Sequence, residues 1–289
     1  MIWLIGNQGM LGKELSDVLS KNNIEFTGTD REIDITSFQA LEAFTHGKKI
    51  EWIINCAAYT AVDKAEDEIE LCTLLNVQGP ENIARIAQKI GASLIHISTD
   101  YVFDGTATIP YSETDTLNPT GIYGKTKAEG EEKIRSVLDN HIIIRTAWLY
   151  GKHGQNFVYT MLRLMKEKES LGVVGDQYGS PTWTGDLAEL IKRILTEPKI
   201  QYGTYHFTNE NSCSWYEFAL EIQDLGLKYD LLEKKIPIKN LTTSEYPTKA
   251  KRPAYSVLSK EKAKNTFSLI IPTWKESLEN FIKEIANEK

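Results

Sequence analysis

The sequence predicts an α/β fold: a Rossmann-type, doubly wound parallel sheet with a smaller C-terminal lobe. Over the first 150 residues, short apolar runs alternate with amphipathic helical stretches. This alternation is typical of a right-handed parallel sheet covered by helices. A glycine-rich turn follows the first apolar run directly, and the alternation becomes irregular past residue 150. We therefore divide the chain into residues 1–150 and 151–289, and expect some segments of the second part to return to the first.

The first strand is expected at 2–5, an apolar run that ends at Gly6. Between this strand and the next helix lies the pattern G-x-x-G-x-x-G, where G-x-G-x-x-G is commoner. A glycine turn at this place exposes backbone N–H groups at the positive end of a helix, where a pyrophosphate binds. An ordinary tight turn is the alternative. The predicted dinucleotide contacts in this turn are Gly6, Gly9, Met10, Leu11 and Gly12.

A second strand at 24–28 leads to Asp30 and Arg31. An acidic residue about 20 positions after the glycines binds the adenosine ribose, whereas an arginine there pairs with a 2′-phosphate. Both residue types are present, so the choice between NADH and NADPH stays open, and solvated loop charges are the alternative. Asp34, followed by Ile35, faces the adenine or caps a helix at 36–44.

The third strand, at 52–55, runs into the small residues Ala57 and Ala58, followed by Tyr59. Small residues after a strand let a flat cofactor approach the backbone, so this segment is expected to contact it. Helices are predicted at 63–75 and 76–90, with a bend at Gly79-Pro80. The next strand, 93–97, brings Thr99 and Asp100 to the same sheet edge, and its His96 is interpreted as a core residue.

The segment 104–121 is rich in Gly, Pro, Thr and Asp and predicts a loop. The helix that follows, to about residue 138, begins with Tyr123-Gly-Lys-Thr-Lys127. Tyr123 and Lys127 stand at i and i+4 on one helix face. A fixed ammonium near a phenol lowers its pKa, ordinarily roughly 10, and makes it a usable acid for a carbonyl. Simple packing of the two side chains is the alternative.

After a strand at 142–145, the predicted elements are less regular. A dense basic stretch, Lys249 to Arg252, is either a solvated loop or a clamp for a diphosphate. The expected helices are 156–168, 185–195, 215–225 and 274–286, the strands are 171–174 and 204–207, and 177–184 is expected to be irregular.

Composition excludes several function classes. The formal net charge is −7 and no basic run is long enough to follow a phosphate backbone, so we expect no nucleic-acid partner. The three cysteines have no CxxC or metal-type spacing, which fits a reducing compartment. No apolar run approaches the roughly 20 residues of a membrane span. We expect a soluble cytoplasmic protein without a membrane partner.

The chain resembles, over its whole length, the extended branch of the short-chain dehydrogenase/reductase family. Gly6 to Gly12, Asp30, Thr99, Tyr123 and Lys127 follow that order and spacing. The resemblance narrows to the dTDP-4-dehydrorhamnose reductase family through five further stretches. These are Ser98 to Gly105, Asn118-Pro119, Arg145 to Trp148, Gly179 to Thr182 and Arg252 to Ser256.

This resemblance implies an enzyme that reduces the 4-keto group of dTDP-6-deoxy-L-lyxo-4-hexulose to dTDP-L-rhamnose with NADPH or NADH. It implies that Tyr123 donates the proton, that Lys127 holds the nicotinamide ribose and lowers the tyrosine pKa, and that Thr99 binds the tyrosine or the substrate oxygen. Thr99, Asp100, Trp148 and Arg252 are the implied substrate contacts.

The resemblance also allows four other activities or roles, one of which the sequence argues against. Related dehydratases place a glutamate where this chain has Tyr101, which argues against that activity. An epimerase, another 4-keto nucleotide-sugar reductase and a non-catalytic nucleotide-binding regulatory subunit remain alternatives. Some family members form dimers that share Mg²⁺ between glutamates. Glu14 and Glu189 fall where two ligands would lie, but without a third we assign no metal residue.

Overall fold

Six parallel strands form the central sheet of the structure, a computed structural model that describes residues 1–288. The strands of residues 1–288, including six that lie outside this sheet, are β1 (Ile2–Ile5), β2 (Phe26–Thr29), β3 (Trp52–Asn55), β4 (Ser93–Thr99), β5 (His141–Thr146), β6 (Leu149–Tyr150), β7 (Leu171–Val174), β8 (Tyr178–Gly179), β9 (Thr182–Trp183), β10 (Gly203–His206), β11 (Cys213–Ser214) and β12 (Ile238–Leu241). The order in the central sheet is β10-β5-β4-β3-β1-β2. The predicted fold class is confirmed.

Helices connect the strands and cover both faces of this sheet. They are α1 (Met10–Lys21), α2 (Phe38–Thr45), α3 (Val62–Ala65), α4 (Ile69–Thr73), α5 (Gly79–Ile90), α6 (Ile122–Val137), α7 (Phe157–Glu167), α8 (Thr184–Leu195), α9 (Trp215–Lys228), α10 (Glu261–Phe267) and α11 (Trp274–Ala286). The strand order reverses between β1 and β3. In a doubly wound sheet, the crevice at the carboxyl ends of the strands beside such a reversal is the ligand-binding place.

The two faces of the sheet bury separate apolar clusters, which explains the unbroken apolar runs 2–5 in β1, 52–54 in β3 and 142–144 in β5. On one face, Leu4 and Ile54 pack with Leu15 of α1 and Leu187 of α8. On the other face, Ile53 and Ile143 belong to the cluster of α5 and α6. A strand covered on both sides has no polar face, so its sequence does not alternate.

Part of the chain after residue 150 belongs to the central sheet. β10 pairs in parallel with β5, and α8 and α10 share the apolar cluster of α1. A third cluster forms the core of the C-terminal lobe, where Phe218 of α9 and Phe281 of α11 pack on Tyr150. The lobe is thus built from α7, α9 and α11. Through Tyr150 of β6, which follows β5, it is placed beside the carboxyl ends of the central strands.

Several predicted element bounds differ from the structure. The stretch predicted as one helix at 63–75 forms α3 and α4, and a π-helical turn at Leu74–Gln78 then leads into α5. Gly79 and Pro80 lie where the π-helical turn passes directly into α5, and the bend expected there stays a prediction. The irregular stretch 177–184 contains β8 and β9. Analysis of the sequence missed β12, which is polar, and α10, which is short.

α6 packs unusually closely on the π-helical turn. A Cβ on Gly130 would lie 2.0 Å from the carbonyl oxygen of Asn76, and a Cβ on Gly124 would lie 2.1 Å from the carbonyl oxygen of Tyr101. Two backbones can approach this closely only where a side chain is missing. The two glycines therefore let α6 lie against the backbone of the π-helical turn and of the segment after β4.

Gly130→Ala should destabilise the protein by on the order of 1–3 kcal/mol, because the new methyl group overlaps backbone that cannot move alone. Helix propensity alone would give the opposite sign, since alanine favours a helix over glycine by about 1 kcal/mol. Urea unfolding of the variant measures the difference. The control is Glu129→Ala at the neighbouring exposed position of α6, which should change stability little. A stabilised Gly130→Ala variant would contradict the close approach.

Candidate active site

A cavity of about 720 Å³ opens at the carboxyl ends of β1, β3 and β4. It is lined by the turns after β1 and β2, the segment after β3, the end of β4 and the first turns of α6. The structure brings together sixteen of the predicted residues there, namely Gly6, Gly9, Met10, Leu11, Gly12, Asp30, Arg31, Asp34, Ile35, Ala57, Ala58, Thr99, Asp100, Tyr123, Lys127 and Trp148. Tyr59 and Arg252 do not line the cavity.

The turn between β1 and α1 is shaped to approach a flat, anionic ligand. Gly6 has a φ of +79°, and a Cβ there would lie 2.7 Å from the backbone nitrogen of Ala57. A Cβ on Gly12 would lie 2.1 Å from the carbonyl oxygen of Gly6. Gly9 precedes α1 and has no side chain to cap it, so the first amides of the helix keep their N–H groups for another acceptor. A pyrophosphate fits this arrangement.

The turn after β2 carries the residues that are predicted to select the cofactor. Asp30 and Arg31 both line the cavity, so a carboxylate and a guanidinium face the same ligand space. Asp34 accepts hydrogen bonds from the backbone and hydroxyl of Thr36 at 2.9 and 2.8 Å. The cap of α2 is Ser37, whose side chain accepts the N–H of Ala40. Asp34 therefore shapes the turn ahead of the helix.

Tyr59 does not face the cavity as predicted. Its hydroxyl donates to Glu68 at 2.8 Å, and its ring is buried against Ala65 and Cys72. Its backbone N–H and carbonyl are both bound by the side chain of Asn76, at 2.8 and 3.2 Å. The predicted segment is correct for Ala57 and Ala58, which do line the cavity. Tyr59 instead attaches the segment after β3 to Glu68 and Asn76.

Tyr123 and Thr99 meet inside the cavity. Thr99 Oγ1 donates to Asp100 Oδ1 at 3.0 Å and accepts the backbone N–H of Tyr101 at 3.2 Å. A hydrogen bond also joins Thr99 to the Tyr123 hydroxyl. Burial raises the pKa of Tyr123, and Thr99 opposes this rise. Tyr123 is thus held as a protonated phenol.

Lys127 is buried one turn further along α6, with 2% of its surface exposed. Its Nζ donates to the carbonyl oxygen of Ile97 at 2.7 Å and lies 3.2 Å from Nε2 of His96. Burial lowers the pKa of Lys127 to about 8, and the charge of Glu131 opposes this. Desolvation of Tyr123 outweighs the lowering of its pKa that the resemblance attributes to Lys127.

Asp100 and Trp148 form the wall nearest Tyr123. Asp100 is 2% exposed, and its Oδ2 atom has no hydrogen-bond partner among the described residues. Burial raises the pKa of Asp100 to about 6, and the nearby Ser256 and Thr99 oppose this rise. Trp148 has a φ of +48°, a rare conformation for a bulky residue, and its ring stacks on Trp215 with 3.5 Å between centroids. Such strain is typical of functional positions.

Arg252 lies outside the cavity, one side chain away from it. Its guanidinium donates to the hydroxyl of Tyr101 at 2.8 Å and to Asp63 at 2.6 Å. Tyr101 lines the cavity, and Lys249 pairs with Asp67. Two charges of the basic stretch, those of Lys249 and Arg252, thus pair with acidic residues of α3 and the segment that follows it, whereas Lys251 is exposed.

Two buried polar residues of the site could not be recognised from the sequence. Asn76 donates to Thr126 Oγ1 of α6 at 3.2 Å while it binds the backbone of Tyr59. His96, predicted as a core residue, is indeed fully buried, but it contacts Lys127. An Asn at a helical position and a His within an apolar strand are signals for buried polar partners, yet the partners come from distant parts of the chain.

Each of the two glutamates considered for Mg²⁺ has a partner within the chain. Glu14 accepts a hydrogen bond from Thr184 at 3.1 Å, and Glu189 pairs with Lys192. Within residues 1–288, no group of three His, Cys, Asp or Glu side chains could hold a metal ion.

Comparisons with known proteins identify the family. The family described as the RmlD substrate binding domain matches residues 1–287. The chain belongs to this family. The predicted membership is confirmed by relatives that carry the name dTDP-4-dehydrorhamnose reductase.

One such relative of the RmlD family, from Aggregatibacter actinomycetemcomitans, is 41% identical over 283 residues, which are 96% of each chain. The crystal structure of a dTDP-4-dehydrorhamnose reductase from Clostridium acetobutylicum is 43% identical, covers 98% of this chain and 99% of its own, and superimposes with a TM-score of 0.92. That from Bacillus anthracis, in complex with NADP, is 39% identical over 98% of both chains, also with a TM-score of 0.92.

The buried Asp100 of this RmlD family member predicts a pH dependence of stability. Because burial raises its pKa from 3.8 to about 6, its contribution is fully present below pH 3.8 and is lost as the pH rises through 6. Asp100→Asn should therefore gain up to about 3 kcal/mol over the wild type between pH 4 and 7. Urea unfolding across this range measures the difference.

Asp104→Asn is the matched control, with the opposite sign. Hydrogen bonds from Thr106 and Tyr111 lower the pKa of Asp104 to about 2, so its contribution is present above pH 3.8 and is lost as the pH falls through 2. This variant should be less stable than the wild type at neutral pH. A stability difference for Asp100→Asn that does not change with pH would show that Asp100 is not desolvated.

Proposed function

We propose that this protein is an NAD(P)H-dependent oxidoreductase that reduces the 4-keto group of dTDP-6-deoxy-L-lyxo-4-hexulose to give dTDP-L-rhamnose, the last step of dTDP-rhamnose synthesis. The observation that carries the proposal is the shared cavity. The Tyr123 phenol, Thr99 and the buried Lys127 line the same space as the glycine turn of β1 and α1. A proton donor and a dinucleotide cradle are thereby joined in one site.

A bound NADPH or NADH would supply the hydride to the carbonyl carbon. The charge that develops on the substrate oxygen needs a proton donor within hydrogen-bond reach. Tyr123 donates its hydroxyl proton to that oxygen, and Thr99 orients the phenol through their hydrogen bond. Burial keeps Tyr123 protonated until the substrate oxygen becomes basic enough to accept the proton.

Lys127 supports the phenolate that remains on Tyr123 after the proton is transferred. Its ammonium group stands one helical turn from the phenol and is buried, so its field is little screened by water. With a pKa of about 8, the lysine is mostly charged at neutral pH and loses its charge in mildly alkaline solution. We expect its Nζ also to hold the nicotinamide ribose.

The cofactor is assigned to residues 1–150. In this assignment Gly6 to Gly12 would hold the pyrophosphate, Asp30 and Arg31 would bind the adenosine ribose, and Asp34, Ile35, Ala57 and Ala58 would contact the rest of the dinucleotide. The Bacillus anthracis relative was solved with NADP. We propose that the site accepts both NADPH and NADH. Arg31 can pair with the 2′-phosphate of NADPH, and the neighbouring Asp30 can bind the free ribose hydroxyl of NADH.

The sugar nucleotide is assigned to the space between Tyr123 and the C-terminal lobe. Asp100, with its unpaired Oδ2, accepts a sugar hydroxyl, and the Trp148 ring packs on the sugar. Arg252 contributes indirectly through Tyr101, and directly if a diphosphate displaces Asp63. Tyr101 stands where related dehydratases have a glutamate, which supports reduction over dehydration.

We further propose that the enzyme works in the cytoplasm as a homodimer, without a nucleic-acid or membrane partner. The acidic net charge of −7 supports the exclusion of nucleic acid. Within residues 1–288, no helix has the length and apolar character needed to traverse a bilayer. The homodimer is proposed from the resemblance alone.

The test is a coupled assay that starts from dTDP-glucose and the preceding dehydratase and epimerase, followed by this protein with NADPH or NADH. We expect consumption of the nicotinamide and dTDP-L-rhamnose in the product NMR spectrum. Cofactor binding without consumption would contradict the reductase and favour a regulatory subunit. An epimerised sugar without net consumption would favour an epimerase.

Tyr123→Phe should keep the cofactor affinity of the wild type and lose about 10²–10⁴ in turnover, because only the transferable proton is removed. Initial rates and fluorescence titration with NADPH measure the two quantities. Tyr229→Phe is the control, since it removes a hydroxyl that contacts Glu279 outside the cavity. If Tyr123→Phe turned over normally, another group would have to be the acid.

A further inference from the structure

His96 is a fully buried titratable residue to which the proposed reaction assigns no role. It lies on β4 beside Asn55 of β3, its register partner in the sheet. Its Nδ1 is 3.0 Å from Asn55 Nδ2, and its Nε2 is 3.2 Å from Lys127 Nζ. The imidazole thus connects a strand asparagine to the lysine of the site.

The position of the imidazole proton follows from a backbone amide two contacts away. The N–H of Ala57 can only donate, and it donates to Asn55 Oδ1 at 3.0 Å. The other end of that amide, Nδ2, is therefore the group that faces His96, and it is a donor as well. Nδ1 of His96 must accept this hydrogen bond, so it carries no proton.

The imidazole proton then lies on Nε2. Burial, and next the charge of Lys127, lower the pKa of His96 well below its usual value, so the ring is neutral and has one proton. With Nδ1 occupied as an acceptor, that proton is on Nε2 and points at Lys127 Nζ. An ammonium group, which has only donors, cannot accept it, whereas an uncharged amine can.

We propose that His96 is a positioning residue for Lys127: its Nε2–H favours the uncharged amine and, with the Ile97 carbonyl, fixes the direction of Nζ. The proposal rests on the function proposed above, in which Lys127 acts as a cation. In its uncharged form, Nζ donates one hydrogen to Ile97 at 2.7 Å and accepts one from His96, whereas as an ammonium it keeps the bond to Ile97 and cannot accept from His96. The role of His96 is to set the pH at which Lys127 changes charge.

The other titratable groups around Lys127 also affect whether it is charged. Glu131, one turn further along α6, favours the ammonium, but it is itself paired with Arg145 at 2.6 Å. Burial raises the pKa of both Cys56 and Cys72. Their thiols are therefore neutral at pH 7 and do not stabilise the ammonium of Lys127. The titratable groups facing Lys127 are Cys56 after β3, Cys72 of α4, His96 of β4, and Tyr123 and Glu131 of α6.

The first test is nitrogen-15 NMR of the full chain labelled on histidine, with the His96 signals assigned by their absence from His96→Phe. We expect the Nε2–H tautomer and no titration of this ring between pH 5 and 9. A proton on Nδ1, or a ring that becomes charged in this range, would overturn the proposal. This measurement needs no turnover, so it stands even if the proposed substrate is wrong.

The second test is the pH dependence of the initial rate, and of NADPH affinity if no substrate is turned over. In His96→Phe the alkaline limb should move up by about one pH unit, because a donor that opposes the ammonium is lost. Asn55→Leu frees Nδ1 to take the proton and should move the limb in the same direction. A merely structural role would lower the rate at every pH and leave the limb in place, which would overturn the proposal.

His141→Phe is the matched control for His96→Phe. His141 is also a nearly buried strand histidine, but it begins β5, at the end of the parallel sheet opposite to the cavity. Its substitution should leave the alkaline limb unchanged. A limb that moved equally in both variants would assign the effect to general loss of packing and would overturn the role of His96.

Discussion

The buried ion pair between Glu131 and Arg145 is the interaction on which the site depends. Both Glu131 oxygens are bound, by Arg145 at 2.9 and 2.6 Å and by Ser98 at 2.5 Å, and the carboxylate is fully buried. Burial alone would raise the pKa of Glu131, but the bonds from Arg145 lower it. A buried charge is tolerated only when its partners are in place. The pair, with Ser98, therefore fixes the position of α6 relative to β4 and β5. Because Tyr123 and Lys127 lie on α6, the pair also fixes where these two residues stand.

A second set of polar contacts connects this helix to the cofactor side of the cavity. Asn76, in the π-helical turn, holds the backbone of Tyr59 and contacts Thr126 of α6. An extra residue in a helical turn displaces side chains from ordinary helical positions, and such turns are frequent at functional sites. Here the turn lets one amide serve two elements. Helix α6 and the segment after β3 are consequently held by the same side chain.

Desolvation sets the electrostatics of the cavity. It raises the pKa values of Tyr123 and Asp100 and lowers that of Lys127, so each group is shifted toward its neutral form. A dry site strengthens every remaining interaction between charges and dipoles. The Ala57 amide orients Asn55, and Asn55 in turn decides which nitrogen of His96 carries the proton. In a desolvated site, the direction of that one N–H affects the charge of Lys127 more than it would in water.

The sequence by itself determined the doubly wound sheet, the glycine turn and sixteen of the residues that line the cavity, chiefly through local patterns: apolar strands, glycine spacing, and Tyr123 and Lys127 at i and i+4. Only the tertiary structure decided the rest. Tyr59 turns to Glu68, Arg252 binds Asp63, and β10 joins β5, through contacts between residues distant in sequence. The role of His96 could not be recognised for the same reason: a histidine in an apolar strand is ordinary until Lys127, 31 residues later, is folded against it.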